Sequence, residues 1–462
     1  MRIGVVGAGI TGLVLARELA ARGFETIVWE ADDRVGGQVR TLDLWDRPVD
    51  VGAEAVHLAA PQVAALLDDL GLSGRAIPAN PGASRVLTAR GLRPLPAGVG
   101  PTGPTRIWPV LRSRTMTLPG ILRAGLEPVI ARRHPLGGED VSVGAFIRGR
   151  FGDEVADLFV DPLLGNLHSG DVDRLSLQST APQLLAKARS GASLLPLRQQ
   201  RRSGPTAAPG ASSRHGFASL PDGLAELPLA LASGLDVRLG APVRALAASG
   251  RRWSVRLDEG EELVDALAVT TPAAAAGMLL DPLLPGIEAE LARGRTADVA
   301  TVVIAYPRDH GARLLDEANG LLLPSSAQHL TKAMTNLGRK WPHLQHPDVH
   351  LVRASVGRAG QVRLGVMDDH QVVQTVTREL HEIAGLPTCA LGAHVVRWPA
   401  AMPQLEVGHR PRMAAIRAAL APLPPIVLAG APFDGLGIGS TLRSAQAQAG
   451  MLIDALDHQE AA

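Results

Sequence analysis

A single cysteine, Cys389, and a single tyrosine stand in a chain of 462 residues. One thiol forms no disulfide framework and no thiolate metal cluster, so the natural compartment is a reducing one. Aromatic residues make up 3% of the chain, which disfavours recognition of single-stranded nucleic acid by stacking. An excess of one charge sign is missing too. Lys and Arg number 46 and Asp and Glu 45, a formal charge of +1, which gives no global reason to expect nucleic acid as a partner. Lysine is confined to Lys187, Lys332 and Lys340. No uninterrupted apolar run is long enough to span a bilayer. The opening MRIGVVGAGITGLVLARELAARG has the outline of a signal peptide, but three glycines at fixed spacing and Glu18 argue against one. A cytoplasmic protein is expected.

What the chain does have is glycine, 50 residues of it, in a composition 46% hydrophobic and 20% charged. That is a globular balance, and the length suits two or three packed units. RIGVVG reads as a buried parallel strand, TGLVLARELAARG as an amphipathic helix and ETIVWE as the next strand, a βαβ unit. Between the first strand and the helix lies GAGITG, Gly7–Ala8–Gly9–Ile10–Thr11–Gly12, and Glu30 ends the second strand 18 positions after Gly12. Gly7 allows the tight turn, Gly9 lets the backbone approach a pyrophosphate, and Gly12 permits close packing of helix on strand. The helix N-terminus favours the negative charge. Glu30 is placed to accept both hydroxyls of an adenosine ribose, which disfavours a 2′-phosphate. The following ADDRVGGQVRT supplies Arg34, the pair Gly36–Gly37, Gln38 and Thr41. A second tight glycine turn directly after the ribose-binding acid suits the longer FAD molecule and has no use in an NAD domain.

Further along, PQVAALLDDLG at 61–71 reads as a helix, and 78–106 as Pro/Gly-rich chain with short strands. In 105–135, Leu118, Ile121, Leu122, Leu126, Val129 and Ile130 recur at helical spacing, and Arg106, Arg112, Arg114, Arg123, Arg132 and Arg133 face one acid, Glu127. Such a segment touches a membrane surface, binds an anionic substrate, or is a core helix with solvated arginines. Residues 189–214 read as a flexible basic linker or surface loop, DVRLGAPVRAL as a strand, and 369–384 as a helix. A second glycine-rich loop, APFDGLGIGS at 431–440, follows the buried strand PPIVLAG near the C-terminus. One dinucleotide needs one pyrophosphate cradle, so this loop serves either a second nucleotide or another part of the same cofactor.

The two glycine fingerprints resemble those of flavoproteins in the amine oxidase superfamily, whose FAD domain is discontinuous and closes with a Gly-rich turn into a final helix. The likeness extends further. VDVGAEAVHLAAPQVAALLDDLGL, VGAFIRGRFGDEVADLFVDPLLGNLHSGDVDRLSLQST, GFASLPDGLAELPLALA, GRKWP, LVRASVGRAGQ, RWPAAMPQLEVGHRPRM and VLAGAPFDGLGIGSTL resemble, in order, blocks of the oxygen-dependent protoporphyrinogen/coproporphyrinogen III oxidases, most of all their actinobacterial, coproporphyrinogen-type members. The resemblance implies an α/β plus α+β architecture: a discontinuous Rossmann-like FAD-binding domain (1–75, 215–290 and 396–462), a substrate domain with a mixed or antiparallel sheet (76–104 and 291–395), and an inserted helical subdomain (105–188). It implies FAD contacts at Gly7–Gly12, Glu30, Arg34, Gly36, Gly37, Gln38, Gly52, Ala53, Glu54, Ala55, Val243, Trp398, Leu436, Gly437 and Ile438. The implied reaction takes coproporphyrinogen III, or protoporphyrinogen IX, to the porphyrin in haem biosynthesis, with O2 as acceptor and H2O2 released. Flavin N5 is the implied hydride acceptor, so no protein group is expected to be catalytic, and Ser440 is expected to cap the final helix.

Porphyrinogen propionates call for basic groups, and Arg93, Arg106 and Lys340 are the candidates, with His168 as an aid to proton removal. Each has a plainer reading, as a solvated cation or a structural histidine. His343, His346 and His350 invite a metal reading that Pro342 and Pro347 oppose, and no metal is expected. The chain departs from the family pattern at Thr441–Leu442, Leu405 and His168, and in the segment VGPTGPTRIWPVLRS. These departures leave open a flavin oxidase of the same fold acting on another polycyclic or amine substrate, and a protein that keeps FAD without turnover.

Overall fold

The computed structural model describes residues 1–195, 216–309 and 311–461. Most of the expected linker at 189–214 therefore lies outside the described residues. The chain divides into two compact units: Met1–Pro78, Gly210–Arg295 and His409–Ala462 form the first, and Ala79–Pro209 with Thr296–Gly408 the second.

The first unit is built on a five-stranded parallel sheet in the order Asp236–Arg238, Glu25–Trp29, Arg2–Val6, Ala266–Val269, Ile426–Leu428. Three separate stretches of sequence contribute to it, so the domain is discontinuous as expected. Successive side chains of a strand point to opposite faces, and the central strands show it. Ile3, Val5, Ala266 and Ala268 pack with Leu13, Ala16, Leu442 and Ala445, from the helices Ile10–Ala21 and Ile438–Ala461. Val6, Leu267 and Val269 face the other way, onto Trp253, Val255, Met413 and Ile416. Trp253 belongs to an antiparallel meander, Ala245–Ser249, Arg252–Leu257 and Gly260–Val264. DVRLGAPVRAL is not one strand. Gly240, at φ +61°, and Pro242 break it into Asp236–Arg238 and the first meander strand.

The second unit carries a seven-stranded mixed sheet in the order Gly392–Pro403, Thr296–Pro307, Val349–Val356, Thr331–Asn336, Gly320–Leu322, Ser84–Thr88, Gly91–Pro94. One pair, Gly320–Leu322 with Ser84–Thr88, is parallel. The helix expected at 369–384 spans Asp369–Ala384. Asp368 and Gln371 form a reciprocal capping box at its start, and Gly385 ends it in the left-handed conformation. The helices from Ile107–Ser113 to Leu185–Ser190 have an apolar core of their own, centred on Ile147, Phe151, Phe159 and Leu177. One boundary differs from expectation. Residues 396–408, assigned from sequence to the FAD domain, belong to the second unit, because Gly392–Pro403 is an unbroken strand paired with Thr296–Pro307.

Candidate functional site

The turn between the first strand and the first helix is shaped by glycine at two positions. Gly7 has φ +104°, a left-handed value that L side chains rarely adopt. At Gly12 a Cβ would lie 1.9 Å from the Gly7 carbonyl oxygen, so the helix packs against the turn with no room for a side chain. Gly9 is the opposite case. It precedes the helix as N-cap, with no side-chain acceptor on the first-turn amides, and a Cβ there would meet nothing within 4 Å. Open space over free helix-start amides is what a pyrophosphate requires.

Glu30 stands at the end of the next strand. Its Oε2 accepts from Ala8 N at 2.6 Å and its Oε1 from Asp32 N at 2.9 Å. The carboxylate is thereby fixed beside the glycine turn, with acceptor capacity left on both oxygens. Ala241 N donates to the Glu30 carbonyl at 2.8 Å, which brings the segment holding Val243 alongside the acid.

The second glycine turn sits on the first. Gly36 N donates to Ala8 O at 2.8 Å, Gly9 and Gly36 form a parallel bridge, and a Cβ on Gly37 would stand 3.4 Å from Gly9 Cα. The Arg34 guanidinium donates to Gly37 O at 2.8 Å and to Val35 O at 3.3 Å, bracing this turn. Burial, and then the Arg40 charge, hold its pKa below the usual value. Ala53 N donates to Gln38 O at 2.9 Å, and a Cβ on Gly52 would fall 1.9 Å from that oxygen, so Gln38 and Gly52–Ala55 run together. Asp50 was not singled out from sequence, yet it ties this region to a distant stretch. It accepts from Thr41 Oγ1 at 2.6 Å, Leu224 N at 2.8 Å and Ser219 Oγ at 3.1 Å. An isolated Asp in PVDVG carries no local signal of that role.

The C-terminal glycine loop joins the same unit. Gly430 comes close to Thr11, whose Oγ1 would be 3.2 Å from a Cβ there, and Gln62 Nε2 donates to Gly439 O at 3.2 Å. Asp434 braces the loop by accepting from Ser444 Oγ at 2.5 Å and Arg417 Nη2 at 2.7 Å. The final helix begins at Ile438, and Ser440 N and Thr441 N already donate to Gly437 O at 2.9 and 3.0 Å. Gly437, at φ +90°, is therefore the residue that starts the helix. Ser440 lies within the first turn, a correction to the expected cap. A Cβ on Gly437 would again meet nothing within 4 Å. The two glycine loops thus present two helix N-termini and two open glycine faces on one unit. Glu30, an acid suited to a ribose, ends the strand next to Arg2–Val6, which completes a donor set that fits FAD.

The remaining candidates lie on the second unit. Trp398 is paired with Val299 in the long sheet, not on the glycine-bearing unit. Arg93 is in the strand Gly91–Pro94, Arg106 precedes the helix Ile107–Ser113, and Lys340 ends Leu337–Lys340 with its ammonium 5.0 Å from the Trp341 ring centre. These cations stand on separate elements. His168 is buried, its Nδ1 is without a hydrogen-bond partner, and burial pushes its pKa down to about 4. The histidines of WPHLQHPDVH do not converge: His346 Nδ1 accepts from Asp348 N at 3.0 Å, and His350 Nε2 lies 2.7 Å from Asn336 Oδ1. Among the described residues, no group of three or more His, Cys, Asp and Glu is arranged to hold a metal ion.

Around His168 the structure assembles a buried network that no local pattern announces. The π-helical turn Ala156–Gly165 runs into Asn166–His168 and ends on Ser169, which is left-handed at φ +50°. Lys332 Nζ donates to Ser169 Oγ. Asn166 Nδ2 donates to Lys332 O at 2.7 Å and accepts at Oδ1 from Arg358, and Arg358 Nη2 donates to Leu323 O at 2.7 Å. Burial pushes the Lys332 pKa down to about 7, and the like charges of Arg358 and Arg353 add to it. These partners lie up to 192 positions apart in sequence.

Comparison with known proteins agrees with this geometry. Residues 10–453 match the family of flavin-containing amine oxidoreductases. The chain is 32% identical over 447 residues to the coproporphyrinogen III oxidase of Bacillus subtilis (strain 168), covering 94% of each chain. It is 30% identical over 465 residues to that of Mycobacterium tuberculosis (strain ATCC 25618 / H37Rv), covering 99% of this chain and 98% of the other. The crystal structure of an Exiguobacterium sp. 255-15 protein assigned as a protoporphyrinogen oxidase superposes with a TM-score of 0.83 at 27% identity, covering 98% of this chain and 99% of the other. The chain belongs to the flavin-containing amine oxidoreductases and, within them, to the protoporphyrinogen/coproporphyrinogen III oxidase family, as an FAD-dependent oxidoreductase.

Proposed function

We propose that this protein oxidises coproporphyrinogen III to coproporphyrin III in haem biosynthesis, with O2 as the acceptor. The observation that carries the reading is the near full-length identity to coproporphyrinogen III oxidases from several bacteria. Conversion of the porphyrinogen to the porphyrin removes six hydrogens, so three O2 are reduced to three H2O2. The bound flavin supplies the two-electron acceptor, and the protein's part is to hold and orient. Gly7–Gly12 and the first-turn amides receive the pyrophosphate, Glu30 the ribose hydroxyls, and Gly37, Gln38 and Gly52–Ala55 the chain beyond. Leu436, Gly437 and Ile438 would hold the flavin end of the cofactor, where helix-start amides favour negative charge. Val243 and Trp398 complete the proposed contacts. Arg93, Arg106 and Lys340 are proposed to hold propionates. His168, which has an unpartnered ring nitrogen, is proposed to aid proton removal, although burial lowers its basicity. The same reading places the enzyme in the cytoplasm, with a peripheral membrane contact through its arginine-rich helical segment.

Aerobic incubation of purified protein with coproporphyrinogen III and, separately, protoporphyrinogen IX tests this. Porphyrin fluorescence rising above autoxidation, with one H2O2 per two electrons, is the expected result. No porphyrin from either substrate overturns the reading, and a protein without flavin absorbance overturns the cofactor assignment with it.

A further inference from the structure

Buried charges are ordinarily paired, and Lys332 is not. The residue is 4% exposed, and its ammonium donates to the uncharged hydroxyl of Ser169. Among the described residues no acid pairs with it. The charges it does face, Arg358 and Arg353, have the same sign as its own. Asp161 offsets Arg358, but that carboxylate already accepts from Ser325 N at 2.6 Å. An ammonium has three donors, and the hydroxyl takes one of those on Lys332. Arg358 Nε and, in the adjoining turn, His168 Nδ1 are also without hydrogen-bond partners. The cluster thus holds more positive charge and more spare polar atoms than the fold balances.

These groups are held in place from several sides. Asn166 Nδ2 donates to Lys332 O at 2.7 Å while its Oδ1 accepts from Arg358, and Ala359 N donates to Ser169 O at 2.7 Å. Gln404 Nε2 donates to His168 O at 2.9 Å. The same two segments also reach the surface. Leu167, between Asn166 and His168, is 62% exposed, and Val362, four positions beyond Arg358, is 79% exposed. Apolar side chains outside and uncompensated cations beneath suit an apolar ring that carries a carboxylate on an arm. The four-carbon stem of lysine lets its ammonium leave a hydroxyl for a carboxylate, and the charged pair is the stronger bond. Arg93, Arg106 and Lys340 all keep contact with solvent, where water replaces a missing ligand group. Lys332 has no such substitute, so a ligand lacking that carboxylate loses most at this position.

We infer that Lys332, with Ser169 and Arg358 beside it, binds one of the two propionates of coproporphyrinogen III that vinyl groups replace in protoporphyrinogen IX. The inference rests on the porphyrinogen reading above and makes Lys332 the residue that separates the two substrates. The experiment is titration of the FAD-loaded full chain with coproporphyrin III and with protoporphyrin IX, followed by fluorescence quenching. Steady-state oxidation of both porphyrinogens is measured beside it. Lys332→Met is expected to weaken coproporphyrin III binding at least about tenfold and protoporphyrin IX binding much less. In turnover, the ratio of kcat/KM for coproporphyrinogen III to that for protoporphyrinogen IX falls by a similar factor, through KM and not kcat. Lys332→Gln, which keeps the length and a donor for Ser169, gives the same selective loss and covers a Met variant that fails to retain flavin. Equal loss for both ligands, or loss for neither, overturns the proposal and leaves Lys332 a structural amine. So does a fall in kcat alone with both porphyrinogens. The titration keeps the two readings apart: a wild type that binds coproporphyrin III through Lys332 and makes no porphyrin sinks the activity alone.

Discussion

Two buried bases give single side chains a measurable weight. Lys332 has a folded pKa near 7 against an ordinary value of 10.5, and His168 one near 4 against 6.5. In both cases the unfolded chain binds more protons than the folded one across the interval, so stability rises with pH there. The protein's melting temperature is expected to climb between about pH 4 and 6.5 through His168 and again above pH 7 through Lys332, each on the order of a few kcal/mol at most. Lys332→Met should flatten the upper limb and leave the lower one, and His168→Phe the reverse, in thermal scans across pH. An unchanged upper limb in Lys332→Met would show that the ammonium is not desolvated in the fold. Glu30 was legible from its distance to GAGITG, because strand and helix lengths fix where that acid stands. Lys332 was legible only as a scarce residue, since its neighbours Ser169 and Arg358 come from other parts of the chain.

At the scale of elements, the two glycines of the first turn separate folding from cofactor binding. Gly12→Ala puts a Cβ 1.9 Å from a carbonyl oxygen, whereas Gly9→Ala puts one into open space with φ at −69°. Gly12→Ala is expected to lower the melting temperature of the flavin-free protein by several degrees, a loss of about 1–3 kcal/mol. Gly9→Ala is expected to leave that temperature in place and to weaken FAD retention at least tenfold, read by flavin absorbance after gel filtration. The helical region offers a second test. Glu127, whose side chain is fully buried, accepts from Arg150 Nη1 at 3.4 Å, Leu194 N at 3.1 Å and the Ser193 hydroxyl. Glu127→Gln leaves the Arg150 charge buried without its counter-ion and should cost about 3 kcal/mol in denaturant unfolding. Local elements were readable because their signals are local: the glycine turns, the buried strand RIGVVG, the helix at 369–384. The starting residue of the final helix was not, because a serine three positions in is an equally good cap on paper. The backbone of Gly437 decides it. The boundary at 396 failed for a related reason, since the strand through Trp398 is defined by pairing with Val299, 99 positions earlier.

For the whole molecule, the five segments of the two units alternate along the chain, which passes from one unit to the other four times. Resemblance to a family with a discontinuous FAD domain made that alternation expected; composition alone would have allowed two consecutive domains. A fragment comprising residues 216–462 keeps the strands Ala266–Val269 and Ile426–Leu428 but lacks Arg2–Val6, which lies between the first of them and Glu25–Trp29 in the sheet. It is expected to show no cooperative thermal transition and no flavin binding, as judged by circular dichroism and absorbance. A cooperative fragment would mean that the parallel sheet closes without its central strand. The same arrangement bears on synthesis. The helix Ile10–Ala21 leaves the ribosome well before its partner Ile438–Ala461. At about 5–20 residues per second, the interval between them lasts roughly 20–80 seconds. Through that interval Leu13, Leu15 and Ala16 wait as nascent chain without the helix that covers them, so the unit begun first is completed only after both segments of the second unit have been made.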